Sequence, residues 1–256
     1  MQNAFEYNVI SDGWIKIESS DFYTGVGVQR SGRLLIGLNQ LLLRISGKTV
    51  LIDTGLGDKW KIETLELLDF EKPRKMLTGL STLGVSPMDI DIVILTHLHY
   101  DHTGGSTHWI NGTKLAPVFE NAIYYTQKLE MDYALSPDSD RVGDYHQNDF
   151  VPLANADKLV LLDGSKKLLD GLNVYPAPGH SPGHQVVVAN SESFTLIFGG
   201  DLIPTREHAN LRVTSMYDLD SDIVLTERKK WLEVIKQEEM NCVFCHSIRD
   251  HIGKLS

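Results

Sequence analysis

Residues 90–105 decide the reading: Ile90-Asp-Ile-Val-Ile-Leu-Thr96, then His97-Leu98-His99-Tyr100-Asp101-His102, then Thr103-Gly104-Gly105. The apolar run Ile90–Thr96 has the composition of a strand buried on both faces. Four side chains that ligate metals follow it at once. Histidines at i and i+2 point the same way while the chain stays extended, so His97 and His99 can converge on one ion. Asp101 and His102, after a turn, can reach a neighbouring ion. A solvated polar loop is the plain alternative, and the density of histidine argues against it.

Working outward, Ala177-Pro-Gly-His180-Ser-Pro-Gly-His184 places two more histidines in a rigid Gly/Pro turn between strands. His180 is the choice for the third ligand of the first ion, and His184 reads as a hydrogen-bonded core residue. Gly199-Gly200-Asp201 ends an apolar strand with a carboxylate that either caps the next turn or bridges two ions. Cys242-Val-Phe-Cys245-His246 matches a haem-attachment pattern, C-x-x-C-H. Haem loading needs export, and the start Met1-Gln-Asn-Ala-Phe-Glu-Tyr lacks the basic and apolar features of a signal peptide. A redox or zinc-binding C-x-x-C is the other alternative; both cysteines read as small buried hydrophobes, with His246 emerging from the strand end as a ligand.

Strands are expected at Leu38–Ile45, Thr49–Thr54, Lys158–Leu162, Leu172–Ala177, His184–Ala189, Phe194–Phe198 and Cys242–Cys245. Helical periodicity covers Trp60 to Leu83 with a break at Pro73, then Gln127–Ala134, then Asp222–Met240 with Ser221 or Asp222 as N-cap. Two halves look alike. Each has a strand, a turn, a strand ending in aspartate (Asp53, Asp201), a helix, and a strand ending in histidine (His97, His246). The more polar stretch 112–157 reads as an insertion lying over the site. Trp109, Phe119, Tyr124, Tyr125 and Tyr133 are its candidate apolar wall or else core residues, and Arg206 and His208 are candidate substrate contacts or surface residues.

The chain has 256 residues, 42% of them hydrophobic, enough for one domain with a sizeable core. A formal net charge of −10 argues against nucleic-acid partners and anionic membranes. With no apolar run near ~20 residues, no membrane span is expected. A cytoplasmic protein acting on a small molecule is the expectation.

His97-x-His99-x-Asp101-His102, Pro178-Gly-His180, Gly200-Asp201 and His246, in this order, resemble the metallo-β-lactamase superfamily. The likeness runs from about Asn39 to His246 and includes Asp53-Thr-Gly55. Thr96-His-Leu-His-Tyr-Asp-His-Thr-Gly-Gly looks most like the lactonase and organophosphate-hydrolase branch. The resemblance implies an α/β fold, the αββα sandwich of two facing mixed sheets flanked by helices. It assigns His97, His99 and His180 to one ion, Asp101, His102 and His246 to the other, and Asp201 to both, with Asp53 orienting ligands. Its implied activity is hydrolysis of a small ester or lactone with two divalent ions, zinc first, manganese or iron as alternatives. Asp101 and Asp201 are the implied catalytic carboxylates, and a homodimer is common among such proteins. Mononuclear-iron persulfide dioxygenases and glyoxalase II-type thioesterases share the fold and are the rival functions. Acyl-homoserine lactonases commonly carry a tyrosine three residues after the bridging aspartate. Here that position is Pro204, leaving Tyr100, Tyr145 or Tyr217 as substitutes or as packing.

Overall fold

The computed structural model describes residues 5–67 and 76–255. The break expected at Pro73 lies outside the described residues. The chain opens with β1 (Glu6–Glu18), a short α1 (Ser19–Phe22), β2 (Arg33–Ile45) and β3 (Lys48–Ile52). Two helices, α2 (Ile62–Leu67) and α3 (Met76–Thr82), lead to β4 (Ile92–Ile94). After the one-turn α4 (Tyr100–Thr103) comes a separate hairpin of β5 (Thr107–Ile110) and β6 (Lys114–Pro117). The first half finishes with β7 (Ile123–Gln127), α5 (Lys128–Ala134), α6 (Gln147–Asn155) and β8 (Leu159–Leu162). The second half runs through β9 (Lys166–Leu169), β10 (Leu172–Pro176), β11 (Gln185–Asn190) and β12 (Thr195–Phe198). It closes with α7 (Ser221–Gln237), β13 (Asn241–Val243) and β14 (Ile252–Gly253).

Two six-stranded sheets result, ordered β1-β2-β3-β4-β7-β8 and β14-β13-β12-β11-β10-β9. Side chains alternate across each strand, so every strand serves two layers. Leu41, Leu43, Val50, Ile52, Ile92 and Ile94 meet Val174, Val187, Leu196, Phe198 and Val243 between the sheets. The alternate residues Leu51 and Val93 turn outward to Leu80 of α3, Met131 of α5 and Phe150 of α6. On the far side Val186, Val188, Ile197 and Cys242 pack on Val224, Trp231 and Ile235 of α7. Helices, sheet, sheet and helices are the αββα sandwich of mixed α/β structure that the motifs imply.

The likeness between the halves is structural. β2 and β3 form an antiparallel hairpin whose second strand pairs in parallel with β4. β11, β12 and β13 repeat that arrangement. Each strand-end histidine is preceded by a residue whose carbonyl is bound from the other half's hairpin. Gln185 N–H donates to Thr96 at 2.9 Å, and Asn39 N–H donates to Cys245 at 2.9 Å. These cross-links bring both sets of strand ends to one edge of the sandwich.

Three expectations need correction. The stretch 112–157 is largely part of the fold, because β7 lies between β4 and β8 and Phe150 and Leu153 of α6 fill the core. The long strand β1 is not among the expected strands, since its Ser11/Trp14 irregularity breaks the alternation. The N-cap of α7 is Asp220, whose carboxylate accepts from the N–H groups of Asp222 and Ile223 at 3.0 Å. Neither Ser221 nor Asp222 takes that place.

Candidate metal centre

Five segments carry the expected ligands to one point. His97 and His99 leave β4 in extended conformation, and α4 turns Asp101 and His102 back toward them. His180 comes from the loop between β10 and β11, Asp201 from the end of β12, and His246 from just beyond β13. Nitrogen and oxygen atoms of His97, His99 and His180 fall within 4.8 Å of one another, as do those of Asp101, His102 and His246. Asp201 stands between the two groups. Its Oδ2 lies 3.3 Å from His180 Nε2, and its Oδ1 lies 3.2 Å from both His102 Nε2 and His246 Nε2. All seven expected side chains are therefore brought together.

The residues around them fix which ring nitrogen faces inward. His102 Nδ1 pairs with Asp53 at 2.8 Å, His180 Nδ1 with Asp218 at 3.1 Å, and His246 Nδ1 with the Gly37 carbonyl at 2.8 Å. Each of these rings so presents its Nε2 lone pair to the centre. His97 Nε2 and His102 Nε2 are buried with no hydrogen-bond partner. His180 Nε2 faces His99 Nδ1 at 3.1 Å. Buried lone pairs aimed at one another and at carboxylate oxygens are costly unless a cation lies among them. The donor set therefore fits divalent metal.

Charge is split across the centre. Burial, then the neighbouring imidazoles, hold His97 and His99 well below the ordinary histidine range. Burial also opposes protonation of His102 and His246, but Asp201 and Asp101 outweigh it and raise both. Burial would raise Asp201, yet His246, His102 and His180 pull it well below the ordinary carboxylate range.

Asp53 has φ of +58°, an uncommon conformation for a non-glycine residue and one that aims its carboxylate back at β4. It accepts from Thr96 N–H and Thr96 Oγ1, both at 2.8 Å, besides His102. Gly200 also has positive φ, and a Cβ there would stand 2.5 Å from His184 Nε2. That close approach lets Asp201 N–H donate to His184 Nε2 at 3.0 Å, while His184 Nδ1–H donates to the Ala177 carbonyl at 3.1 Å. His184 is thus the hydrogen-bonded core residue expected of it.

Two carboxylates outside the expected ligand set complete the frame. Glu130, fully buried, accepts from Leu98 N–H at 2.9 Å, Ser181 Oγ–H at 2.6 Å and Gly183 N–H at 3.0 Å. It ties the His97–His102 loop to the His180 loop. Asp218 holds His180, and the guanidinium of Arg141 donates to the carbonyls of Met216, Tyr217 and Asp218 beside it.

A cavity opens over the centre. Its floor is His99, Asp101, His180, Asp201 and His246; its apolar wall is Ile15, Ile17, Phe22 and Ile36. The expected aromatic wall is not there. Phe119 and Tyr124 are core, Tyr125 and Tyr133 pack against the cores, and Trp109 is exposed. Nor do Arg206 and His208 line the cavity. Arg206 lies over Phe244, and His208 is buried beneath Phe22 with its Nε2 donating to the Phe22 carbonyl at 3.1 Å. Of the three tyrosines, Tyr100 and Tyr217 line the cavity, whereas Tyr145 is buried with its ring 4.7 Å from that of His99. At the Pro204 position only the backbone is used, its carbonyl accepting from His246 N–H at 2.9 Å.

The sequence model of the Metallo-beta-lactamase superfamily matches residues 37–246. An N-acyl homoserine lactonase of Bacillus thuringiensis is 26% identical over 218 residues, 81% of this chain and 80% of its own. Among solved structures, a probable metal-dependent hydrolase from Staphylococcus aureus aligns with a TM-score of 0.87 at 21% identity, over 96% of this chain and 90% of its own. The dizinc quorum-quenching lactonase AidC, in complex with a product, aligns at 0.78 and 24%, over 99% and 91%. A match over most of the length, on a sandwich whose two halves meet at these seven side chains, shows that the chain belongs to the metallo-β-lactamase superfamily.

Proposed function

We propose that this metal-dependent hydrolase opens the ring of a small lactone, using two divalent ions, with zinc the first candidate. One observation carries the reading: Asp201 touches imidazoles of both groups directly beneath an apolar wall. His97, His99, His180 and Asp201 would hold one ion, and Asp101, His102, His246 and Asp201 the other. Such a pair, when bound, supplies Lewis acidity and a water-derived nucleophile at neutral pH.

The chain's own residues do the rest. Ile15, Ile17, Ile36 and Phe22 bind the aliphatic part of the substrate and keep bulk water from the reacting carbonyl. Tyr217, about a third exposed at the cavity, offers a hydroxyl to the carbonyl oxygen in place of the missing tyrosine at position 204. Lactone and water give a hydroxy acid. The ring C–O bond breaks, the acyl carbon gains the water oxygen, and Asp101 takes a proton released by that water and passes it to the leaving alkoxide oxygen. Asp53 and Asp218 hold His102 and His180 in the required tautomers throughout. The N-acyl homoserine lactonases among the relatives support the lactone as substrate class.

A panel of an aliphatic lactone, an aryl ester, a phosphotriester and S-lactoylglutathione tests this with zinc-loaded protein. Lactone turnover with the highest kcat/KM of the four is expected. Turnover of S-lactoylglutathione alone would replace the proposal with a thioesterase.

A further inference from the structure

Cys245 was expected to be a small buried hydrophobe, and it is buried, but its sulfur does more than fill space. Sγ lies 3.2 Å from Asp201 Oδ1 and 3.3 Å from the Gly200 carbonyl. The other cysteine, Cys242, faces α7 among apolar side chains.

The pseudo-repeat says what such a group does. Cys245 precedes His246 as Thr96 precedes His97, at the end of the strand parallel to the one that ends in the aspartate. Both residues accept a cross-sheet bond on the carbonyl at 2.9 Å, and both have almost no solvent exposure. Thr96 Oγ1–H donates to Asp53 at 2.8 Å; Cys245 Sγ is set against Asp201 in the same way. The sulfur contact is longer, as expected for a larger and weaker donor.

We propose that Cys245 is a positioning residue, its thiol donating to Asp201 Oδ1 and orienting the shared carboxylate as Thr96 orients Asp53. This rests on the reading of Asp201 as a ligand shared by two ions. A thiolate ligand is the competing role. Asp201, Cys245 and His246 do bring ligand atoms within 4.8 Å of one another, yet Asp101, His102, His246 and Asp201 already supply four nitrogen and oxygen groups, which completes a tetrahedral set without sulfur. The sulfur also touches the Gly200 carbonyl, so it sits on the backbone side of the carboxylate.

The test uses the full chain titrated with cobalt(II), following metal uptake and the near-ultraviolet absorption that marks a sulfur–cobalt bond. Cys245→Ser and Cys245→Thr keep a donor; Cys245→Ala and Cys245→Val, one smaller and one larger than cysteine, remove it; Cys242→Ala is the control. The wild type should take up two ions without a sulfur-to-cobalt charge-transfer band. The Ser and Thr variants should match it within about threefold, and the Ala and Val variants should bind one ion about 10–100-fold more weakly. A sulfur-to-cobalt band in the wild type that Cys245→Ser abolishes makes the thiol a ligand and overturns the proposal. Wild-type affinity for both ions in folded Cys245→Val overturns it as well. A wild type that takes up no cobalt brings down the metal assignment beneath it, a failure visible before any variant is made.

Discussion

The strand ends that carry Asp53 and Asp201 occupy equivalent places in the two halves, and they have diverged in function. Asp53 is consumed by its own half, with three donors from Thr96 and His102, each at 2.8 Å. Asp201 receives imidazoles from both halves and stands at the cavity floor. The difference lies in what each carboxylate faces. Backbone and hydroxyl hydrogens satisfy Asp53, whereas the lone pairs around Asp201 need a cation. One position in a duplicated unit thus serves as support in the first half and as centre in the second.

The most severe way to break that contrast is Asp201→Asn. It should remove most bound metal and lower turnover by several kcal/mol of barrier, on the order of a thousandfold. Elemental analysis and lactone kinetics on the same sample check both. Asp53→Asn is the matched change and tolerates the positive φ. It should keep both ions in place but weaken uptake about 10–100-fold through His102, read by metal titration. Equal effects at the two positions would end the distinction between support and centre.

A smaller effect is expected at the wall. Ile36→Ala should lower kcat/KM for an aliphatic lactone by about 1–2 kcal/mol, five- to thirtyfold, with metal content unchanged. The loss should grow with the length of the aliphatic substituent; a loss independent of length would remove Ile36 from the binding wall.

A further effect, on stability rather than turnover, concerns the support beneath that wall. Burial, then the charge of Arg228, depresses His208 to about 3, and Thr205 Oγ1–H donates to its Nδ1 at 2.9 Å. The unfolded chain has an ordinary histidine there, near 6.5. Above about pH 6.5 both states are neutral at this position and stability is unaffected. As pH falls from about 6.5 toward 3, only the unfolded state gains the proton, and stability drops by about 1.4 kcal/mol per pH unit. Denaturant unfolding of metal-free protein should show an acid slope shallower by about one proton in His208→Gln. An unchanged slope would show that His208 takes no part in acid sensitivity.

The metal side chains were legible because they are crowded into short motifs at strand ends, where hydrophobic runs stop abruptly. His97 to His102 declares itself in six residues. The repeat was legible for the same reason, as two apolar strands ending in aspartate. The wall was not, because Ile15 and Ile17 lie in the strand that its own irregularity hides, and Ile36 stands just ahead of the expected strand Leu38–Ile45. Glu130 is a single carboxylate whose partners lie 32 or more positions away, and Asp218 reaches His180 across 38 positions, so neither role can be read locally. Strand β7 hid in a polar stretch because only five residues of it are extended.

Metal content per chain, measured by elemental analysis on wild-type protein prepared without chelator or affinity nickel, tests the central claim most directly. Asp201 as the meeting point of both halves predicts about two equivalents of zinc, manganese or iron. A single iron that cannot be raised to two by reconstitution would contradict the shared-carboxylate centre and favour a mononuclear oxygenase on the same scaffold.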